Sequence, residues 1–158
     1  VQSFIQGDSV TIYEARRDPF LISTDKTLID HDTVVGFLAD AYWAKGRPRD
    51  VILRSIEHSL CFGVYQDSRQ VGFARVISDQ ATFAYLADVY IDAAYRGQSL
   101  GKWLVATILA HPDLQGLRRW MLATQDAHAL YRQFGWAELK SPERWMEIFN
   151  SPAEIKST

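Results

Sequence analysis

The chain has 158 residues, a net charge of −2, and 47% hydrophobic and 13% aromatic residues. That length favours one compact domain, and the store of bulky residues excludes disorder as the main state. The near-neutral charge argues against a nucleic-acid binder working through bulk electrostatics, and the lone Cys61 excludes an internal disulfide. Val1, Gln2, Ser3 and Phe4 form neither the basic head nor the apolar run of a signal peptide, and the apolar stretch 103–110 is too short to span a bilayer. The expectation is a cytoplasmic, single-domain protein over residues 1–158, with no membrane or nucleic-acid partner. Its first 18 residues would be an extra strand or arm.

In chain order, residues 10–13 are the first strand-like piece and residues 20–23 the first core strand. A helical pattern follows from about Asp32, with Val34, Phe37, Leu38 and Ala41 on one face and Asp30 or Asp32 as its cap. Gly46 and Pro48 stop it, and Val51, Ile52, Ser55 and Ile56 give a short second helix. Residues 60–65, 70–77 and 82–91 are rich in aromatic and β-branched side chains and predict a three-stranded antiparallel meander. Residues 99–110 predict an amphipathic helix, 118–124 a strand, 126–134 a short helix capped by Asp126 and closed by Gly135, and 145–149 a last strand. The order β-α-α-β-β-β-α-β-α-β describes a mixed, largely antiparallel α/β sheet with flanking helices, rather than a doubly wound one.

The stretch that carries chemistry runs from Val89, Tyr90 and Ile91 through Arg96, Gly97, Gln98, Ser99, Leu100, Gly101 and Lys102. Here a strand leads through a glycine-bearing loop straight into a helix. Glycines let backbone N–H groups approach a ligand, and a helix start favours an anion. Lys102 in a first turn opposes the helix dipole by about 0.3–1 kcal/mol, so a bound diphosphate explains it better than helix stability does. The spacing excludes a P-loop, because Lys102 is followed by Trp103, and there is no dinucleotide fingerprint after a first strand. An ordinary loop capped by Ser99 is the competing reading.

Two motifs decide between them. Arg96-Gly97-Gln98-Ser99-Leu100-Gly101 resembles the Arg/Gln-x-x-Gly-x-Gly/Ala signature of the GCN5-related N-acetyltransferase (GNAT) superfamily. Leu130-Tyr131-Arg132-Gln133-Phe134-Gly135-Trp136 is similar to that family's second signature, Leu-Tyr-x-x-x-Gly-Phe, and stands 35 residues downstream, counted from Arg96 to Tyr131. The resemblance implies the GNAT-like fold and transfer of an acetyl group from acetyl-coenzyme A to the amine of a small molecule, amino acid or peptide. It implies that backbone amides of residues 97–102 hold the pyrophosphate. The pantetheine arm would pair with Val89, Tyr90 and Ile91 where the fourth and fifth strands splay apart. Family members are often dimers, so a homodimer is a further expectation.

The resemblance also assigns Tyr131 as the acid for the leaving thiolate; packing against Phe134 is the alternative. The glutamate that some members carry eleven positions before the loop arginine is Tyr85 here. Asp88, on the same strand, is the remaining carboxylate, taking a proton through water, binding the substrate ammonium, or forming an ion pair with an arginine such as Arg75; a water chain with no dedicated base is the further alternative. A family signature glycine is replaced by Ser99, which costs about 1 kcal/mol if that position needs a positive φ and can cap the helix if it does not. Tyr42 and Trp43, between the first two helices, either wall the acceptor site or form the buried end of a helix. No histidine, cysteine and carboxylate spacing suggests a metal. The alternative function is a non-catalytic acyl-coenzyme A sensor or interaction domain of the same fold.

Overall fold

The computed structural model describes residues 11–151. Residues 1–10 lie outside it, so the expected strand at 10–13 is covered only in part. Tyr13 already sits beside the coming sheet, its N–H donating to Thr24 Oγ1 at 2.8 Å and its carbonyl accepting from the Thr24 N–H at 3.0 Å. The ladder itself begins one residue later. Strand β1 (Glu14–Arg17) turns through Asp18 and Pro19 into β2 (Phe20–Ser23), pairing antiparallel with Arg17 opposite Phe20.

Helix α1 (His31–Asp40) is capped by Asp30, whose carboxylate accepts from the Thr33 N–H at 3.0 Å, satisfying one of the donors that every helix start leaves free. Helix α2 (Arg49–Glu57) starts directly after Pro48. Strands β3 (Leu60–Gln66), β4 (Arg69–Ser78) and β5 (Phe83–Ile91) form the expected meander. Helix α3 (Leu100–Leu109), strand β6 (Arg119–Met121) and helix α4 (His128–Arg132) complete the fold. The six strands lie in chain order in one open sheet, antiparallel except for the parallel β5–β6 pair.

Alternation along the strands divides the core between the sheet's two faces. Phe62 and Val64 of β3 pack with Leu100, Leu104 and Ile108 of α3, whereas Cys61 and Phe73 pack with Val34, Leu38, Ile52 and Ile56 of α1 and α2. Each fully buried Leu, Ile or Phe contributes about 1.5–3 kcal/mol, so both faces are held mainly by apolar burial. Cys61 is part of this core, and burial pushes its thiol up from 9.0 to about 11. Among the described residues, no helix is long and apolar enough to cross a membrane.

Three sequence expectations need correction. Residues 145–149 form no strand, because no described strand lies beside them and a lone strand leaves its backbone groups without partners. β6 ends at Met121 rather than Thr124, because it diverges there from β5 and loses its ladder. α4 is shorter than expected, and its entry is tied by the Ala127 N–H donating to Thr124 Oγ1 at 3.0 Å rather than by an Asp126 cap.

Candidate active site

Two irregularities in β5 open the site. Phe73 pairs with Tyr90 and Arg75 with Ala87, so Asp88 and Val89 together oppose Ala74, a β-bulge that bends the strand. Asp88 carries the strain as a left-handed backbone with φ of 54°. On the other edge, pairing with β6 stops at Tyr85 and Met121. Beyond that point the strands part around a cleft of about 830 Å³, between the loop before α3 at one end and α4 at the other.

The Asp88 side chain is only 2% exposed. Its Oδ1 accepts from Trp43 Nε1 at 3.0 Å and Arg47 Nη1 at 3.1 Å; its Oδ2 accepts from Arg47 Nη1 at 2.9 Å and Arg75 Nε at 3.0 Å. These four contacts use the roughly four lone-pair positions of a carboxylate. Asp88 thus makes the ion pair with Arg75 that the sequence allowed for, and a second arginine, Arg47, joins it. The bulge and the ion pairs act together. They pin the loop after α1 to β5 at the point where the cleft begins.

At the far end, the chain leaves β5 through a turn in which Asp92 Oδ1 accepts from the Ala94 N–H at 3.1 Å. Arg96 folds back, donating from Nε to the Ile91 carbonyl at 2.9 Å, with its guanidinium 5.2 Å from the Tyr90 ring centre. Gly97 has φ of 82° and Ser99 has φ of 62°, so the position that resembles the family's glycine does need the left-handed region. Ser99 makes no side-chain cap bond. The first backbone bond of α3 runs from the Trp103 N–H to the Ser99 carbonyl at 3.0 Å. The N–H groups of Leu100, Gly101 and Lys102 thus have no intrahelical acceptor. A Cβ on Gly101 would approach nothing closer than Ile91 Cγ1 at 3.9 Å. The fold itself does not require that glycine, and the space it leaves opens on the cleft. Bare donors beside unfilled space at a helix start suit a phosphate group.

Tyr131 enters from α4. Its ring meets Trp136 edge-on at 5.6 Å, and burial, then Tyr42 and Asp126, push its hydroxyl up from 10.0 to about 12. No hydrogen bond within the described residues engages that hydroxyl, and the residue lines the cleft. Opposite it, Tyr42 and Trp43 are exposed and line the cleft, so they are not a buried helix end. The Tyr42 hydroxyl accepts from the Gln125 N–H at 2.7 Å, bridging the loop after α1 to the loop before α4.

The cleft thus gathers Asp88, Val89, Tyr90, Ile91, Arg96, Gly97, Ser99, Leu100, Gly101 and Tyr131. Gln98 and Lys102 do not line it: Gln98 instead offers its carbonyl to Arg17 Nη2 at 3.1 Å, and the Lys102 side chain is exposed. Sequence reasoning missed Arg17, Arg47 and Gln125 as supports. An acid in an apolar strand signals that a cation must lie nearby, but nothing in the spacing says which one. Among the described residues, no group of histidine, cysteine and carboxylate side chains could hold a metal ion.

The sequence model of the acetyltransferase (GNAT) family matches residues 32–136, and the chain belongs to that family. A Gibberella zeae protein named as a candidate acetyltransferase is 33% identical over 138 residues, covering 73% of this chain and 77% of that protein. The crystal structure of a candidate GNAT acetyltransferase from Xanthomonas campestris pv. campestris is 48% identical, covers 83% of this chain and 93% of that one, and superposes with a TM-score of 0.81. An acetyltransferase structure from Clostridium acetobutylicum, solved with acetyl-CoA, shares the fold at a TM-score of 0.59 and 11% identity, covering 88% of this chain and 95% of that one.

Proposed function

We propose that this chain transfers the acetyl group of acetyl-coenzyme A to a primary amine of a small molecule, amino acid or peptide, by direct attack in a ternary complex. One observation carries the reading. The bare N–H groups of α3, beside a glycine the fold does not need, share a cleft with the unengaged Tyr131 hydroxyl. The family as a whole uses acetyl-coenzyme A, and the Clostridium acetobutylicum relative was solved with it. A cytoplasmic setting fits the unpaired thiol of Cys61.

In this reading, the backbone of residues 97–102 takes the pyrophosphate. The open edge of β5 at Val89, Tyr90 and Ile91 takes the pantetheine arm as a strand would. The amine nitrogen then forms its bond to the acetyl carbon as the carbon–sulfur bond breaks. The proton lost from nitrogen finally resides on sulfur. Proximity supplies much of the acceleration, because a thioester is already activated. Tyr131 faces the leaving group as a hydrogen-bond donor. With its hydroxyl at about 12 and a free thiol near 8.5, complete proton transfer from the phenol to the thiolate is uphill. Asp88 positions the acceptor wall through Arg47 and Trp43 rather than taking the proton itself.

The test is free-thiol release from acetyl-coenzyme A across a panel of small amines, amino acids, polyamines and short peptides, with coenzyme binding measured in parallel. Amine-dependent release supports the transferase and names its acceptor class. Binding with no release across the panel turns the reading to an acyl-coenzyme A sensor, and absent binding removes the phosphate cradle.

A further inference from the structure

Strand β1 ends on Arg17, an exposed arginine whose side chain reaches the loop before α3, 81 residues further along the chain. Its Nη2 donates to the Gln98 carbonyl at 3.1 Å, and its guanidinium carbon lies 4.8 Å from the ring centre of Trp103, near the start of α3. An indole face gives a guanidinium a fixed seat, and a charged donor makes a strong bond to a carbonyl. The same hairpin makes a second contact just ahead of the loop, where Phe20 meets Tyr95 edge-on at 6.2 Å. Among the described residues, no other hydrogen bond holds Gly97 or Gln98.

That bond holds a backbone which the residue after it does not favour. Ser99 sits at φ of 62°, its hydroxyl makes no cap bond, and the left-handed region runs against the preference of a serine. A glycine there needs no help, but a serine does. In a trans peptide the carbonyl of one residue and the N–H of the next point to opposite sides of the chain. Arg17 does not line the cleft, whereas Ser99 does. Drawing the Gln98 carbonyl toward Arg17 therefore turns the Ser99 N–H the other way.

We propose that Arg17 is a positioning residue for the phosphate-binding loop. By holding the Gln98 carbonyl it keeps Ser99 left-handed, with the Ser99 N–H aimed at the same anion as those of Leu100, Gly101 and Lys102. The role rests on the coenzyme-binding part of the acetyl-transfer reading. It also accounts for a serine standing where the family signature has glycine, because a side chain from β1 supplies the constraint that a glycine would not need. Without Arg17 the peptide between Gln98 and Ser99 is free to rotate, Ser99 relaxes out of the left-handed region, and one donor leaves the cradle. Arg17 acts here through that peptide rather than through its charge.

Calorimetric titration with acetyl-coenzyme A tests it on the wild type, Arg17→Ala, Ser99→Gly and the double variant. Arg17→Ala should keep the wild-type circular dichroism, because the residue is exposed. It should bind the coenzyme about five- to thirtyfold more weakly, the range set by the cost of the left-handed region. In the Ser99→Gly background the same change should cost no more than about twofold, since glycine takes either hand. The loss should be the same for the form of acetyl-coenzyme A that lacks the ribose phosphate. Unchanged affinity in Arg17→Ala overturns the role. Equal losses in the serine and glycine backgrounds, or a loss confined to coenzyme carrying the ribose phosphate, overturn it too, since Arg17 would then meet the ligand as a charge. A wild type that binds no coenzyme sinks the acetyl-coenzyme A reading together with this role, whereas the other results remove the role of Arg17 alone.

Discussion

Asp88 accepts N–H groups from three side chains while its own backbone sits at a positive φ. Asparagine tolerates that backbone better than most residues, so Asp88→Asn isolates the loss of charge. Arg47 and Arg75 would then share a nearly buried site without their counter-ion, at a cost of about 3 kcal/mol. Chemical denaturation should show that loss, while the shape of the pH–rate profile stays as in the parent; a displaced acid limb would restore Asp88 as a proton acceptor. Tyr131→Phe removes only a hydroxyl that no described residue engages. We expect kcat to fall by about ten- to a hundredfold, with coenzyme affinity and stability nearly unchanged. A fully active variant would return Tyr131 to packing against Trp136.

The loop from β5 into α3 binds or fails to bind as an element, because its donors belong to the backbone. Gly101 lies in the first turn of α3, where alanine favours the helix by up to about 1 kcal/mol and its Cβ meets nothing closer than 3.9 Å. Gly101→Ala should therefore raise the melting temperature while weakening coenzyme binding, two effects of opposite sign that calorimetry separates. Equal or tighter binding would remove the cradle. Ser99 pays for a left-handed backbone with no cap bond in return. Ser99→Gly should stabilise the free protein by about 0.5–1 kcal/mol, and a drop in melting temperature would mean that the serine hydroxyl has a partner after all.

Across the whole molecule, buried titratable groups set the pH range of stability. His111 lies between Tyr13 and Phe62, its Nδ1 accepting from the Asp113 N–H at 3.1 Å. Burial lowers its pKa from the ordinary 6.5, so the unfolded chain binds that proton more readily than the folded one. The stability linked to His111 is complete above pH 6.5 and is lost as pH falls. On the alkaline side, Cys61 is raised from 9.0 to about 11 and Tyr131 from 10.0 to about 12. Both contributions are complete below pH 9 and are lost as pH rises through the raised values. Melting temperature against pH should be a plateau between about pH 7 and 9, with an acid slope that flattens in His111→Gln; an unchanged acid slope would assign it to the carboxylates.

Much was written locally. The aromatic and β-branched runs at 60–65, 70–77 and 82–91, separated by turn residues, determined the meander, because such side chains suit a buried, pleated strand. The two motifs around Arg96 and Tyr131 marked both ends of the cleft, because backbone donors and a phenol need particular residue types at particular turns. Arg47 as the partner of Asp88 was not legible, since 41 residues separate them and many arginines satisfy local rules equally well. The bulge at Asp88, the early end of β6 and the stranded segment 145–149 were not legible either, since each depends on what lies alongside. Local sequence decides what a segment prefers; whether a preferred strand has a neighbour, and which cation meets a buried acid, is decided only when distant parts of the chain pack together.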